Sequence, residues 1–166
     1  SDVLPDPAAN THGAKLKDLC FFTHSQEFEA VSPEQHEEFL LEYQLSITQL
    51  FGRVAYGCCE TLDTKLDILK RIPNLYKVLA GPLADVSKYP GKIADGCVIS
   101  WRPNAAPMVC RGFDSENVRR IIRDGLEKTR GCPVEIHLHE PMTIEGDISR
   151  LAKWAEITVQ EAIRIA

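Results

Sequence analysis

Short apolar runs, each followed by a segment with helical spacing, recur four times from residue 53 onward, and this alternation most limits what the chain can fold into. The runs are Arg53-Val54-Ala55-Tyr56-Gly57-Cys58-Cys59, Tyr76-Lys77-Val78-Leu79-Ala80, Cys97-Val98-Ile99-Ser100-Trp101 and Val134-Glu135-Ile136-His137-Leu138. Strands separated by helices belong to a parallel sheet, because a crossover must carry the chain back along the sheet before the next strand starts. The chain therefore reads as one α/β domain.

The helical segments carry their own punctuation. Ser32 caps a helix with Pro33 in its first turn and Gln35 closing a capping box. Phe39, Leu40, Tyr43, Ile47, Leu50 and Phe51 then recur at helical spacing until Gly52. Thr61 to Ile72 repeats Leu62, Leu66 and Leu69 and stops at Pro73. Residues 84–92 form a short helix or turn interrupted by Pro90-Gly91. Asp114 caps a helix carrying Val118, Ile121, Ile122 and Leu126, and Gly131 ends it. Asp147 caps the last, with Ile148, Leu151, Trp154, Ala155, Thr158 and Ala162 on one face. Residues 1–30 show no period, and 1–15 read as irregular. The opening at Ser1, without Met, reads as a cut or processed end.

Four strand–helix units make half of a TIM (β/α)8 barrel, which takes eight. An open doubly wound sheet of four strands is the alternative. Two features favour the barrel half: polar residues gather at the C-terminal ends of the strands, and no strand is followed by a Gly-rich phosphate loop. A formal net charge of −5 argues against a nucleic-acid partner or an anionic membrane surface. No apolar run approaches the roughly 20 residues of a membrane helix. The six cysteines have no CxxC spacing, and they read as reduced thiols of a cytoplasmic protein.

The strand ends supply the candidate chemistry. In Tyr56-Gly57-Cys58-Cys59-Glu60, soft thiolates beside a carboxylate suit a zinc ion. The plainer reading makes Cys58 and Cys59 small buried side chains and Glu60 a helix-start residue. Adjacent cysteines in a strand point to opposite faces, so one thiol is the more natural ligand. Glu135, His137 and His139 share one face by period two. Glu135 reads as part of a hydrogen-bonded polar layer, whereas His137 and His139 are candidate ligands or general acid/base groups. Arg102 and Asn104 suit an anionic substrate, although Asn104 also fits a turn. Asp85 is either a helix cap or a functional carboxylate. Gln26 and Glu27 sit in the polar stretch His24-Ser25-Gln26-Glu27 between Phe21-Phe22 and Phe28.

Several segments occur in an order that resembles a known group: Ser25-Gln26-Glu27, Val31-Ser32-Pro33-Glu34, Tyr56-Gly57-Cys58-Cys59-Glu60, Ile72-Pro73-Asn74-Leu75, Ala84-Asp85-Val86, Arg102-Pro103-Asn104, Gly131-Cys132 and Val134-Glu135-Ile136. From Leu16 to the end, the chain resembles the C-terminal half of the uroporphyrinogen decarboxylase-like superfamily, in its uncharacterised branch. The resemblance implies the C-terminal half of a (β/α)8 barrel with its site at the strand C-termini. It implies methyl transfer with a corrinoid or thiol carrier and a zinc ion, or decarboxylation of a porphyrin precursor. A non-catalytic, barrel-completing half is the third reading. The candidate site residues are Tyr56, Glu60, His137 and His139 for catalysis, Gln26, Glu27, Asp85, Arg102 and Asn104 for substrate, and Cys58 and Cys59 for metal. The partner it implies is the N-terminal half of the barrel or a second copy, together with a small-molecule substrate. The chain departs from the group in having no His-x-Cys, in Thr61 where proline is usual, and in Leu83 where tryptophan is usual.

Overall fold

Hydrogen-bonded side by side, the strand-forming runs make one five-stranded sheet, all parallel and in chain order. In the computed structural model, which describes residues 15–165, the strands are β1 Cys20–Thr23, β2 Arg53–Tyr56, β3 Leu75–Ala80, β4 Val98–Trp101 and β5 Val134–Ile136. The helices between them are α1 Pro33–His36, a π-helical turn Glu37–Leu41 running into α2 Glu42–Thr48, α3 Leu66–Leu69, α4 Ser115–Lys128 and α5 Ser149–Ile165. The expected irregular segment 1–15 lies outside the described residues except for Lys15.

One strand more is present than the four expected. β1 falls in the stretch that reads as aperiodic, and its four residues are too few to display a period. The doubly wound alternative is set aside on topology: such a sheet reverses its strand order at a switch point, and this one runs β1-β2-β3-β4-β5 without reversal.

The two sheet faces differ. Val54, Tyr56, Val78, Ala80, Ile99 and Trp101 point to the side where Leu66, Leu69, Val118, Ile122, Trp154 and Ile157 bring the helices, and together they form the core. The register lines them up in rows, Tyr56 beside Val78 beside Ile99, and Ala80 beside Trp101 beside Ile136. The opposite face carries Phe22, Ala55 and Lys77 in one row and Leu79, Ser100 and Glu135 in another. A register shift between Val54 and Ala55 inserts Tyr76 as an extra residue on β3.

Capping follows the sequence closely. The Ser32 hydroxyl accepts from the Gln35 N–H, Asp114 accepts from Glu116 and Asn117, and Asp147 accepts from Ser149. Two other expectations fail. Of the 61–72 helix only Leu66–Leu69 forms, yet Leu62, Leu66, Leu69 and Ile72 are all buried, so the spacing reports burial of a looped segment. The apolar stripe over residues 39–50 does not face the core. Phe39, Tyr43, Ile47 and Leu50 are exposed, and His36, Leu41 and Thr48 turn inward instead. The π turn at Glu37–Leu41 explains this, because its wider repeat rotates the helix relative to a regular 3.6-residue frame.

α4 and α5 are joined by a buried carboxylate. Glu161 takes Arg123 at 2.8 and 3.1 Å and Arg119 at 3.2 Å, so its charge is paired and hydrogen-bonded on both oxygens. α4 in turn lies so close to β4 that a Cβ on Gly125 would sit inside the Trp101 ring. Gly125→Ala is expected to destabilise the fold by about 1–3 kcal/mol, the range for overpacking a filled core. Urea denaturation of the two chains checks this; equal midpoints would show that Trp101 moves aside freely.

Candidate functional site

Parallel strands deliver all their following loops to one edge, and there some of the sequence-derived candidates meet. β2 ends at Tyr56, and the chain bends through Cys58 and Cys59 into Glu60. Glu60 is 1 % exposed, and its oxygens accept from the Ser25 N–H at 2.8 Å, the Ser25 hydroxyl at 3.2 Å and the Cys58 N–H at 2.7 Å. This carboxylate thus ties the loop after β1 to the loop after β2. It stands as a brace for the thiol loop, with its hydrogen-bonding capacity directed into the protein.

The thiol loop is held on two further sides. The Arg102 guanidinium, from the end of β4, donates to the Cys58 carbonyl at 3.4 Å. Gly81, at the end of β3, passes so close to Cys59 that a Cβ there would lie 2.5 Å from the Cys59 carbonyl oxygen. Only glycine permits that approach. Both thiols lie beyond the end of β2, and both residues are partly buried. Burial raises the Cys59 pKa, as do the Cys58 thiol and the negative charges of Glu60 and Glu140. Cys59 is therefore a protonated thiol in acidic surroundings.

His139 and Asn104 are brought together by an isolated parallel bridge that extends the β4–β5 pairing past the strand ends. The Asn104 side chain accepts from the Ala106 N–H at 2.9 Å, which is the turn role. Among the described residues, two polar atoms on this edge are buried without a hydrogen bond, Arg102 Nε and His139 Nε2, the latter 3.5 Å from Glu140 Oε1. Glu140, next to His139, adopts a φ of +47°, a left-handed conformation that a non-glycine residue rarely holds. His137 does not join this edge. It follows β5 level with Arg102 in the register, but its side chain turns to the sheet face away from the helices, with Nε2 3.0 Å from Glu135 Oε1.

Three candidates stand apart. Gln26 and Glu27 are exposed on a 3-10 turn. Asp85 is exposed and caps the turn Val86–Lys88 through the Ser87 N–H at 3.2 Å and hydroxyl at 2.6 Å. It borders a cleft of about 250 Å³ with Trp101, Pro103, Ile121 and Lys128, on the helix side of the sheet.

Behind the thiol loop runs a buried polar chain with no counterpart among the expectations except Tyr56. The Tyr56 hydroxyl donates to Gln44 Oε1 at 2.8 Å, and His36 Nε2 lies 2.8 Å from the Tyr56 hydroxyl oxygen and must donate to it. Gln44 then donates to the Thr23 hydroxyl and the His24 carbonyl, each at 3.0 Å. Nearby, Lys65 is 1 % exposed and donates to the carbonyls of Phe28 and Glu29. Burial pushes the Tyr56 phenol up and pulls the Lys65 ammonium down. The signal for His36 was faint: a histidine directly after a capping box, in a helix whose apolar stripe lies elsewhere.

For zinc, the donor set on this edge is two adjacent thiols. Among the described residues, no three His, Cys, Asp or Glu side chains converge as a ligand group. The chain thus offers part of the four-ligand shell that zinc takes.

His36 gives a pH test of the buried chain. Burial, and then the Lys65 charge, lower its pKa from 6.5 to about 4, against the opposing charge of Glu60. The unfolded imidazole binds its proton near 6.5 and the folded one only near 4. The stabilisation is therefore complete above 6.5 and drains away as pH falls toward 4. Denaturation midpoints measured across that window should fall steeply for the native chain and less for His36→Gln. Parallel slopes would mean that His36 titrates freely in the folded state. In comparisons with known proteins, no family model, no curated protein and no solved structure matches this chain.

Proposed function

We propose that this chain forms one wall of a (β/α)8 barrel enzyme of the uroporphyrinogen decarboxylase-like superfamily, which moves a methyl group to or from a corrinoid or thiol carrier. The observation that carries this reading is the placement of Cys58 and Cys59. Two soft donors sit at the C-terminal edge of a parallel sheet, clamped by Glu60, Arg102 and Gly81. Functional residues of barrel enzymes occupy that edge.

The barrel reading draws on three features. Strand order follows chain order, and right-handed crossovers then place every helix on one side. That leaves the other face for an interior, where Lys77, Ser100 and Glu135 make a polar layer. Among the described residues, β1 and β5 each have an unpaired edge, which further parallel strands would close. Those strands come from the N-terminal half of the barrel or from a second copy.

The thiol chemistry supports a cation at this edge. Burial, Glu60 and Glu140 keep Cys59 protonated, and a positive charge is what reverses that balance. Cys58 and Cys59 would hold zinc, with the remaining ligands supplied by the rest of the barrel. When bound, zinc stabilises a thiolate at neutral pH. The chain's own part is to fix the loop: Glu60 holds the Cys58 N–H, Arg102 holds its carbonyl, and the close packing at Gly81 excludes water from behind Cys59.

Metal analysis of the assembled protein should give roughly one zinc per chain, and Cys58→Ala/Cys59→Ala should abolish it while the fold persists. A folded, metal-free native protein that leaves methylcobalamin intact would overturn the reading.

Arg102 favours a second reading, decarboxylation of a tetrapyrrole carboxylate. Its Nε is buried without a partner, and a guanidinium edge of that kind suits a substrate carboxylate. This reading needs no metal. It predicts carbon dioxide release from a porphyrinogen by the assembled protein, lost in Arg102→Met. Failure of both turnover and porphyrin binding would exclude it.

A further inference from the structure

The sheet face away from the helices carries an ion-paired group that the rim chemistry does not use. Glu135 Oε1 on β5 lies 2.7 Å from Lys77 Nζ on β3 and 3.0 Å from His137 Nε2. The register explains the meeting: Ser100 and Glu135 are paired neighbours, and Lys77 stands two residues before Leu79, which completes their row. Period two then puts His137 on the same face as Glu135. The His137 backbone is fixed as well, its N–H donating to the Trp101 carbonyl at 2.9 Å.

An ionised carboxylate only accepts hydrogen bonds. Burial works to raise the Glu135 pKa, but the hydrogen bonds from Lys77, Ser100 and His137 outweigh it and hold the carboxyl at about 2. It is therefore a permanent anion at neutral pH, and the ring nitrogen facing it must carry the proton. A neutral His137 then has one lone pair left, on Nδ1. The ring is half-exposed, so that lone pair is open to a ligand on this face. The charged groups around the dyad are Lys77, and beyond it Arg53, which with Lys77 flanks the Tyr76 ring at 5.6 and 5.4 Å.

We propose that Glu135 is a positioning residue for His137: it locks the ring through Nε2–H and presents Nδ1 as a proton acceptor toward a ligand on the helix-free face. The ligand chemistry that fits is a donor group, N–H, O–H or S–H, beside the Lys77 ammonium. The inference deepens the proposed function and rests on that reading, since it takes the helix-free face as the inner wall of the site. Carboxylate–imidazole pairing of this type fixes tautomer and ring orientation in both general-base and metal-ligand histidines.

The test is a long-range proton–nitrogen NMR correlation on the full chain with labelled histidine, at about pH 8, above the ordinary imidazole range. The expected result is an observable Nε2–H on His137 whose exchange with water is at least tenfold slower than in Glu135→Leu. Lys77→Met, which removes no contact to the ring, keeps the slow exchange. The double variant K77M/E135L leaves no unpaired charge and serves if E135L alone fails to fold; it should match the fast exchange. A native ring protonated at Nδ1, or an Nε2–H as labile in native protein as in the leucine variants, overturns the proposal, as does loss of protection in Lys77→Met. The readout is independent of metal: slow exchange in a zinc-free protein sinks the methyl-transfer reading alone, and fast exchange in a zinc-loaded one sinks this inference alone.

Discussion

The buried Glu60 carboxylate is the interaction on which the rest of this edge depends. A charge this far from water is tolerated only when its hydrogen-bonding capacity is filled. Here it is filled by backbone and side chain of two different loops, Ser25 after β1 and Cys58 after β2. Neither loop has regular structure that would fix it otherwise. Lys65 and His36 are packed into the same region, one as a buried cation within reach of Glu60's field, the other neutral first because it is buried and then because of the Lys65 charge. The polar interior is thus charge-balanced around one carboxylate, and the thiol loop inherits its position from it.

Much of the fold was legible because local signals agreed with it. The caps at Ser32, Asp114 and Asp147 formed as their residue types require, and β3 and β4 appeared within a residue of the apolar runs. Where the reading failed, burial and periodicity had come apart. Leu62, Leu66, Leu69 and Ile72 keep helical spacing while mostly outside a helix, since a loop lying on a sheet can bury the same positions. The 39–50 stripe failed for the opposite reason. The helix is real, but a π turn at its start redirects it, and nothing in Glu37–Leu41 announces a wider turn. Short β1 was invisible because four residues with one buried position carry no pattern.

The site divides along the same line. Position along a strand was readable, so Cys58, Cys59, Arg102 and His139 were correctly expected at the C-terminal edge. Period two also put Glu135 and His137 on a common face. What spacing could not convey was contact between distant segments: Ser25 with Glu60 across 35 residues, Arg102 with Cys58 across 44, or Gly81 against the Cys59 backbone. Nor could it tell that the β4–β5 register continues past Ile136, which sets His139 beside Asn104, while the His137 ring meets Glu135.

The helix-free face supplies a further constraint on the architecture. Ala55, Leu79 and Ser100 point to it and are nonetheless 4, 1 and 2 % exposed. Side chains in the middle of a flat, uncovered sheet would be open to water. Lys77 and Glu135 stand beside them on the same face and, only 21 and 33 % exposed themselves, pair at 2.7 Å across it. A pair so far removed from water is stronger than one on an open surface. The pairing of β3, β4 and β5 thus fixes where the carboxylate stands, and the His137 ring meets it there at 3.0 Å.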